Sequence, residues 1–311
     1  MLSEAKHPRI LLERNAETLR YAQGDGPSIV ALFSVTRHSR GFKMKSRVHH
    51  AKFFVVLLAL ALMCGGICCS RQGSRSGGSD GRQITVASAI SLKDAFLSMA
   101  QLYRERTGDS VNFSFGASGE LMRQIEAGAP VDVFASAGQR EMDDLESKAL
   151  VEPGTRANFA RNSLVIVAPA RSTLTLEAVG DLAQPAVKRI SIGNPKTVPA
   201  GMYAQQMLIH AQLWQKLRPR LIFAENVRQV LDYVERGEVS AGIVYSTDVG
   251  IAHGSVQVAA QTPDGSYGPI LYPIAAIKGS PHQRAARDFV RFVLAADGQR
   301  ALKKFGFLPV K

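Results

Sequence analysis

From Gln83 to the C-terminus the chain alternates short β-branched runs with stretches in which apolar residues recur every three or four positions, and this rhythm points to an α/β protein. Ile84-Thr85-Val86-Ala87 reads as a strand, and Leu92 to Glu105 follows as a helix with Leu92, Ala95, Phe96, Met99 and Leu102 on its apolar face. Val111 to Phe115 is a second strand, a helix runs from about Glu120 to Glu126, and Val131 to Ala135 is strand again. A βαβαβ order predicts a parallel sheet with right-handed crossovers and helices on both faces. The pattern continues through Ser163 to Val167, Ile190 to Ile192, a helix from Met202 to Gln215, one from Val227 to Arg236, the strand Ala241 to Tyr245 and the run Pro273 to Ile277. Helices over Gln283 to Leu294 and near Gly298 to Phe305 close the chain. No internal repeat is visible, and a folded part of about 230 residues is large for one core and typical for two lobes.

The N-terminal quarter reads differently. A basic stretch (Lys43, Lys45, Arg47, Lys52) precedes the apolar run Phe53 to Leu62, and small residues with cysteine follow, which is the order of a secretory signal. The apolar segment Phe53 to Ile67 is about 15 residues, short of the roughly 20 that a spanning helix needs. The protein is therefore expected to be exported. Met44 would make a conventional start for that signal, and residues 1–43 have no role in this reading. Cysteine after the apolar run resembles a lipoprotein signal, and Ser70 to Ser79 has the composition of a flexible tether. Cys64 follows Met63 and Cys68 follows Ile67, so Cys69, the one with a small predecessor, is the candidate lipidation site.

The net charge of +12 would suit a nucleic-acid partner, but half of it lies in residues 1–69, which hold 10 Lys/Arg against 4 Asp/Glu. The remaining basic residues alternate with acidic ones, as in Arg104-Glu105-Arg106, and form no basic stripe interleaved with aromatics. Nucleic acid is thus not an expected partner. All three cysteines precede Ser70, which excludes a disulfide, a thiolate metal site or a catalytic cysteine from the folded part. No metal-ligand spacing and no phosphate-cradling loop occur there, so no cofactor is expected and the chain is not itself an ATPase.

Ligands of open α/β sheets bind beyond the carboxyl ends of strands, where helix N-termini present free N–H groups. Four small or polar junctions of this kind occur. The first is Ala89-Ile90-Ser91-Leu92-Lys93-Asp94, in which Ser91 and Asp94 have capping-box spacing. The others are Gly116-Ala117-Ser118-Gly119-Glu120, Val198-Pro199-Ala200-Gly201 and Glu225-Asn226-Val227-Arg228, with Tyr245 ending an apolar strand nearby. One junction alone is an ordinary helix start, but several converging on one cleft would make an oxyanion site of neutral donors. The second junction resembles a nucleophile elbow with Glu in place of the last Gly, and none of His210, His253 and His282 is spaced to serve Ser118 as a base, so the chain is not expected to be an enzyme. Trp214, Phe96, Phe289 and Phe292 are expected in the core.

At these junctions the chain resembles the periplasmic molybdate-binding proteins of bacterial ABC importers. The resemblance runs from Ile84 to Lys311 and rests on Ala89-Ile90-Ser91-Leu92, Arg123 to Pro130 leading into Asp132-Val133-Phe134, Asn162 to Val165, Asn194-Pro195 through Ala204, Glu225 to Arg228 and Gly242 to Tyr245, in that order. It implies a type II periplasmic binding protein fold: two lobes, each a mostly parallel sheet flanked by helices, joined by a strand hinge. The implied division is leader and tether over 1–83, lobe I over 84–160 and 274–311, and lobe II over 161–273, with crossings near Arg161 and Pro273. The family's oxyanion contacts fall on Ser91 and Ser118 through hydroxyl and N–H, on Ala200 and Val227 through N–H, and on Tyr245 through its hydroxyl. The chain departs from the family at Gly116 and Gly119, where small hydroxyl residues are usual. The resemblance implies a monomer that binds molybdate or tungstate outside the cytoplasm and hands it to a membrane permease with its ATPase.

Such a donor set accepts no proton from its ligand. A protonated ion such as hydrogen phosphate would leave one N–H or O–H facing another proton, at a cost of about 1–3 kcal/mol, while sulfate differs from molybdate only in size. The competing readings are a binding protein of the same fold for sulfate, phosphate or a small carboxylate, the last with Arg228 as its clamp, and an exported serine hydrolase using Ser118.

Overall fold

The computed structural model describes residues 82–310, except Asp264. The expectations for the leader, for the tether and for Cys69 lie outside those residues. Among the described residues no helix is long and apolar enough to cross a membrane.

Two five-stranded sheets organise the chain. The first takes β1 (Gln83–Ala89), β2 (Ser110–Gly116), β3 (Val133–Ala135), β4 (Ala157–Asn162) and β10 (Ile270–Ala276) in the order β2-β1-β3-β10-β4. The second takes β5 (Leu164–Pro169), β6 (Ile190–Gly193), β7 (Leu221–Ala224), β8 (Ala241–Tyr245) and β9 (Val256–Gln261) in the order β7-β6-β8-β5-β9. The sheets are mixed, not parallel throughout: β10 runs against both its neighbours, and so does β5. The same topology is thus built twice, a repeat invisible in the sequence because topology constrains only where strands lie and which way they run. In each sheet the reversed strand is the one that arrives from the other sheet.

The first crossing is at Ser163, between β4 and β5. The second lies between Gln261 and Ile270, upstream of the position expected near Pro273. Pro273 sits inside β10 instead, where the pairing with β4 shifts register after Tyr272; a proline lacks the ladder donor and is tolerated at such an irregularity. Strands β4, β7 and β9 were not legible as strands. Arg161 and Asn162 interrupt the first, and β7 and β9 are edge strands with exposed Ile222, Phe223 and Val258.

Nine helices occur among the described residues: α1 (Lys93–Thr107), α2 (Ser118–Glu126), α3 (Gln139–Ser147), α4 (Pro199–His210), α5 (Trp214–Leu217), α6 (Val227–Glu235), α7 (Ser246–Val249), α8 (Gln283–Leu294) and α9 (Ala296–Lys304). The apolar face of α1 is Ala95, Phe96, Met99 and Tyr103, a step away from the expected one, and Leu102 is exposed. Phe96 contacts Phe159 and Phe289, and Tyr103 packs edge-on against Phe289, so α1 and α8 share one aromatic core. Phe292 packs edge-on against Tyr103 at its margin, while Trp214 packs beside Phe223 of the second sheet, under the Arg218 guanidinium.

Two glycines set how closely helices approach the second sheet. A Cβ on Gly201 would lie 1.9 Å from the Gly193 carbonyl oxygen, and one on Gly242 would lie 2.6 Å from Val234 Cγ2. Only glycine lets α4 settle on β6 and α6 on β8 at this depth, and that depth places the N-termini of both helices.

Candidate functional site

Six loops meet at the carboxyl ends of β1, β2 and β3 from one sheet and of β6, β7 and β8 from the other. Ala89, Ser91, Ser118, Ala137, Pro199, Ala200, Asn226, Val227 and Tyr245 are among the residues lining the space between them, about 10 Å³, the room of about a single water molecule. All five candidates, Ser91, Ser118, Ala200, Val227 and Tyr245, line this one cavity, and no charged side chain does.

Its donors come from helix starts. Ser118 and Val227 open α2 and α6, and Ala200 is the second residue of α4 after Pro199. The first N–H groups of a helix have no partner within it, and the aligned peptide dipoles favour negative charge there. Asn226 caps α6 by accepting from the Gln229 N–H at 3.0 Å, which holds the helix start without using the Val227 N–H. Ser91 lies in a 3-10 turn (Ile90–Leu92) ahead of α1. The capping box expected of Ser91 and Asp94 does not form. The Ser91 hydroxyl lies 3.4 Å from the Tyr272 hydroxyl, and Asp94 turns to Arg228. Tertiary partners outcompete the local cap.

Contacts across the cleft draw the loops of the two sheets together. The Tyr245 hydroxyl donates to the Ala137 carbonyl at 3.1 Å, and the Gly119 N–H donates to the Thr197 carbonyl at 3.0 Å. Burial pushes the Tyr245 phenol well above its ordinary value, so it is a donor at any physiological pH. Arg140, paired with buried Glu141 on its own side, donates to the carbonyls of Pro195 and Lys196 opposite. Arg228 does the reverse: it is held by buried Asp248 at 3.1 Å and reaches Asp94 at 2.8 Å. The reading of Arg228 as a carboxylate clamp is therefore corrected. Its guanidinium is occupied by two carboxylates and is absent from the cavity lining.

Burial lifts Asp248 to about 6, against the opposing pull of Arg228. An acid whose value is raised on folding ionises first in the unfolded chain, so its contribution is greatest below pH 4 and is lost as pH rises from about 4 to 6, by on the order of 3 kcal/mol. Stability measured by chemical denaturation across that range is expected to fall less steeply in Asp248→Asn than in the parent protein.

The hydrolase reading lacks a base: His282 lies beside Asp132 at 3.2 Å, and neither His210 nor His253 lines the cavity. Ser118 Oγ instead accepts from the Ala137 N–H at 3.0 Å. Among the described residues no group of three or more His, Cys, Asp or Glu could hold a metal ion. Sequence reasoning missed Ala137, whose junction Ser136-Ala137-Gly138 after β3 is as small as the four it found. It also missed Tyr272 and the role of Asn162, because both meet the site only through folding.

The family of bacterial extracellular solute-binding proteins matches residues 84–308. The molybdate-binding protein ModA of Haemophilus influenzae is 37% identical, over 72% of this chain and 89% of its own, and that of Escherichia coli K12 is 37% identical over 73% and 90%. The structure of the periplasmic molybdate-binding protein of Azotobacter vinelandii superposes with a TM-score of 0.68 at 25% identity, covering 73% of this chain and all of the other. These likenesses establish the two-lobed type II fold and a transport component in place of an enzyme. The chain belongs to the bacterial extracellular solute-binding protein family and is of its ModA type.

Proposed function

We propose that this protein captures molybdate, or tungstate, between its two lobes outside the cytoplasm and delivers it to the permease of an ABC transporter driven by its ATPase. The observation that carries this reading is the cavity wall: three helix N-termini and two serines, all neutral and all able to donate, beside a tyrosine whose hydroxyl donates to the Ala137 carbonyl until an anion takes that place. The Ser91 and Ser118 hydroxyls and N–H groups, the Ala200 and Val227 N–H groups and the Tyr245 hydroxyl hold the oxygens. Such a set binds a fully ionised tetrahedral ion and discriminates against one that keeps a proton. Residues 84–162 with 270–310 act as one lobe and 164–261 as the other, bending at Ser163 and at the second crossing. The protein works as a monomer, and lipidation at Cys69 would tether it to the membrane.

A ligand that binds only the folded state raises the melting temperature by mass action. With molybdate, tungstate, sulfate, phosphate and a small carboxylate at equal concentration, molybdate and tungstate are expected to raise it, and the others to leave it nearly unchanged. No shift with either metal oxyanion, or a larger one with sulfate or the carboxylate, would overturn the assignment.

A further inference from the structure

The two serines of the cavity are ambivalent groups, since a hydroxyl accepts as readily as it donates. What decides their direction lies behind them. Asn162, the last residue of β4 at the first crossing, is 9% exposed and has both ends of its amide in use. Its Oδ1 accepts from the Ser163 backbone N–H at 2.9 Å and from the Ser246 hydroxyl at 2.9 Å. A backbone N–H can only donate, so the amide oxygen must face it and Nδ2 must face the other way. Nδ2 then donates to Thr247 Oγ1 at 2.9 Å and to the Tyr272 hydroxyl at 3.1 Å.

Tyr272 is fully buried, and its hydroxyl has two partners among the described residues, Asn162 Nδ2 and Ser91 Oγ. Because Nδ2 has no lone pair to offer, the phenolic proton has one acceptor available, Ser91 Oγ. A buried hydroxyl that withholds its proton from the only acceptor leaves a polar group unsatisfied. Ser91 therefore receives a hydrogen bond from behind and keeps its own proton for the cavity. Ser118 is fixed in the same sense by the Ala137 N–H.

We propose that Asn162 and Tyr272 are specificity-determining positioning residues: through the chain Asn162 Nδ2–H to Tyr272 O–H to Ser91 Oγ they occupy one Ser91 lone pair from behind and leave its proton for the cavity, and so favour fully ionised oxyanions over protonated ones. The inference rests on the oxyanion reading above and adds to it the source of the donor polarity. It also ties the site to the hinge, because Asn162 joins Tyr272 of one sheet to Ser246 and Thr247, which follow β8 of the other.

The test reverses the chain. In Asn162→Asp a carboxylate oxygen replaces Nδ2, takes the Tyr272 proton, and leaves the Tyr272 oxygen to accept from Ser91, whose lone pairs then face the cavity. Affinities of the full-length protein for molybdate and for phosphate are compared at mildly alkaline pH, where hydrogen phosphate is doubly charged like molybdate, so that the added carboxylate repels both alike. The ratio of molybdate to phosphate affinity is expected to narrow by about tenfold or more. Tyr272→Phe, which cuts the chain without reversing it, frees Ser91 to rotate and should narrow the ratio by a smaller factor. If Asn162→Asp fails to fold, Tyr272→Phe carries the test alone. A ratio unchanged in the variants, or phosphate binding that stays undetectable in both, would overturn the proposal. Failure of the parent protein to bind molybdate would instead overturn the functional reading on which it rests.

Discussion

Replacing Gly119 by valine is expected to abolish anion binding while leaving each lobe folded. Gly119 is the second residue of α2, and its N–H donates across the cleft to the Thr197 carbonyl at 3.0 Å. A Cβ there would stand 2.7 Å from that oxygen and 3.0 Å from Thr197 Cα, both backbone atoms of the facing loop. A branched side chain would push that loop away. Because Ser118 and Ala200 lie on opposite sides of the same contact, an opening of even an ångström separates donors that must reach one ion together. The dissociation constant for molybdate should rise at least about 100-fold, which corresponds to the loss of one or two charge-assisted hydrogen bonds. Calorimetric titration measures this, and an unchanged ligand-free melting temperature would show that the lobes are intact. Near-parental affinity in the variant would mean that closure at this contact is not needed for capture. A Cβ on Gly116, by contrast, would make only ordinary contact with Leu121.

The second large effect is expected from Val227→Pro. Proline is favoured at the first position of a helix, where its missing N–H has no helical partner and its fixed φ suits the turn. The preceding Asn226 is extended, with φ −156° and ψ 172°, the region that a following proline requires. The substitution therefore removes one backbone donor from the cavity and puts ring carbons in its place, with little disturbance to α6. An anion left facing those carbons loses about 1.5–3 kcal/mol for a hydrogen bond to a charged group, or about 10- to 150-fold in affinity. Val227→Ala, which trims the side chain and keeps the N–H, is the control. Comparable losses in the two variants, measured by titration calorimetry, would show that the side chain and not the N–H matters.

Much of the cavity lining was legible because its signals are local. A Ser, a Pro-Ala-Gly or an Asn-Val placed between a strand and a helix marks a helix start, and a helix start has free N–H groups whatever lies around it. That Ser91, Ser118, Ala200 and Val227 line one cavity follows from strands ending on the same side of a sheet, a regularity of α/β topology. The errors came where a local signal met a stronger distant partner. Ser91 and Asp94 have the spacing of a cap, yet the buried Tyr272 hydroxyl and the Arg228 guanidinium claim them. Arg228 looks available beside Val227 in the sequence, yet two aspartates from distant segments neutralise it.

The alternation of strands and helices by itself determined the α/β class, the helix starts and the neutrality of the residues at them, because periodicity and capping act over a few residues. Only the tertiary structure decided that the sheets repeat one topology, that β10 returns before Pro273, and that Asn162 and Tyr272 stand behind Ser91. Those contacts join residues more than 100 positions apart, and the direction of a hydrogen bond between two hydroxyls depends on what the second one must satisfy elsewhere in the fold.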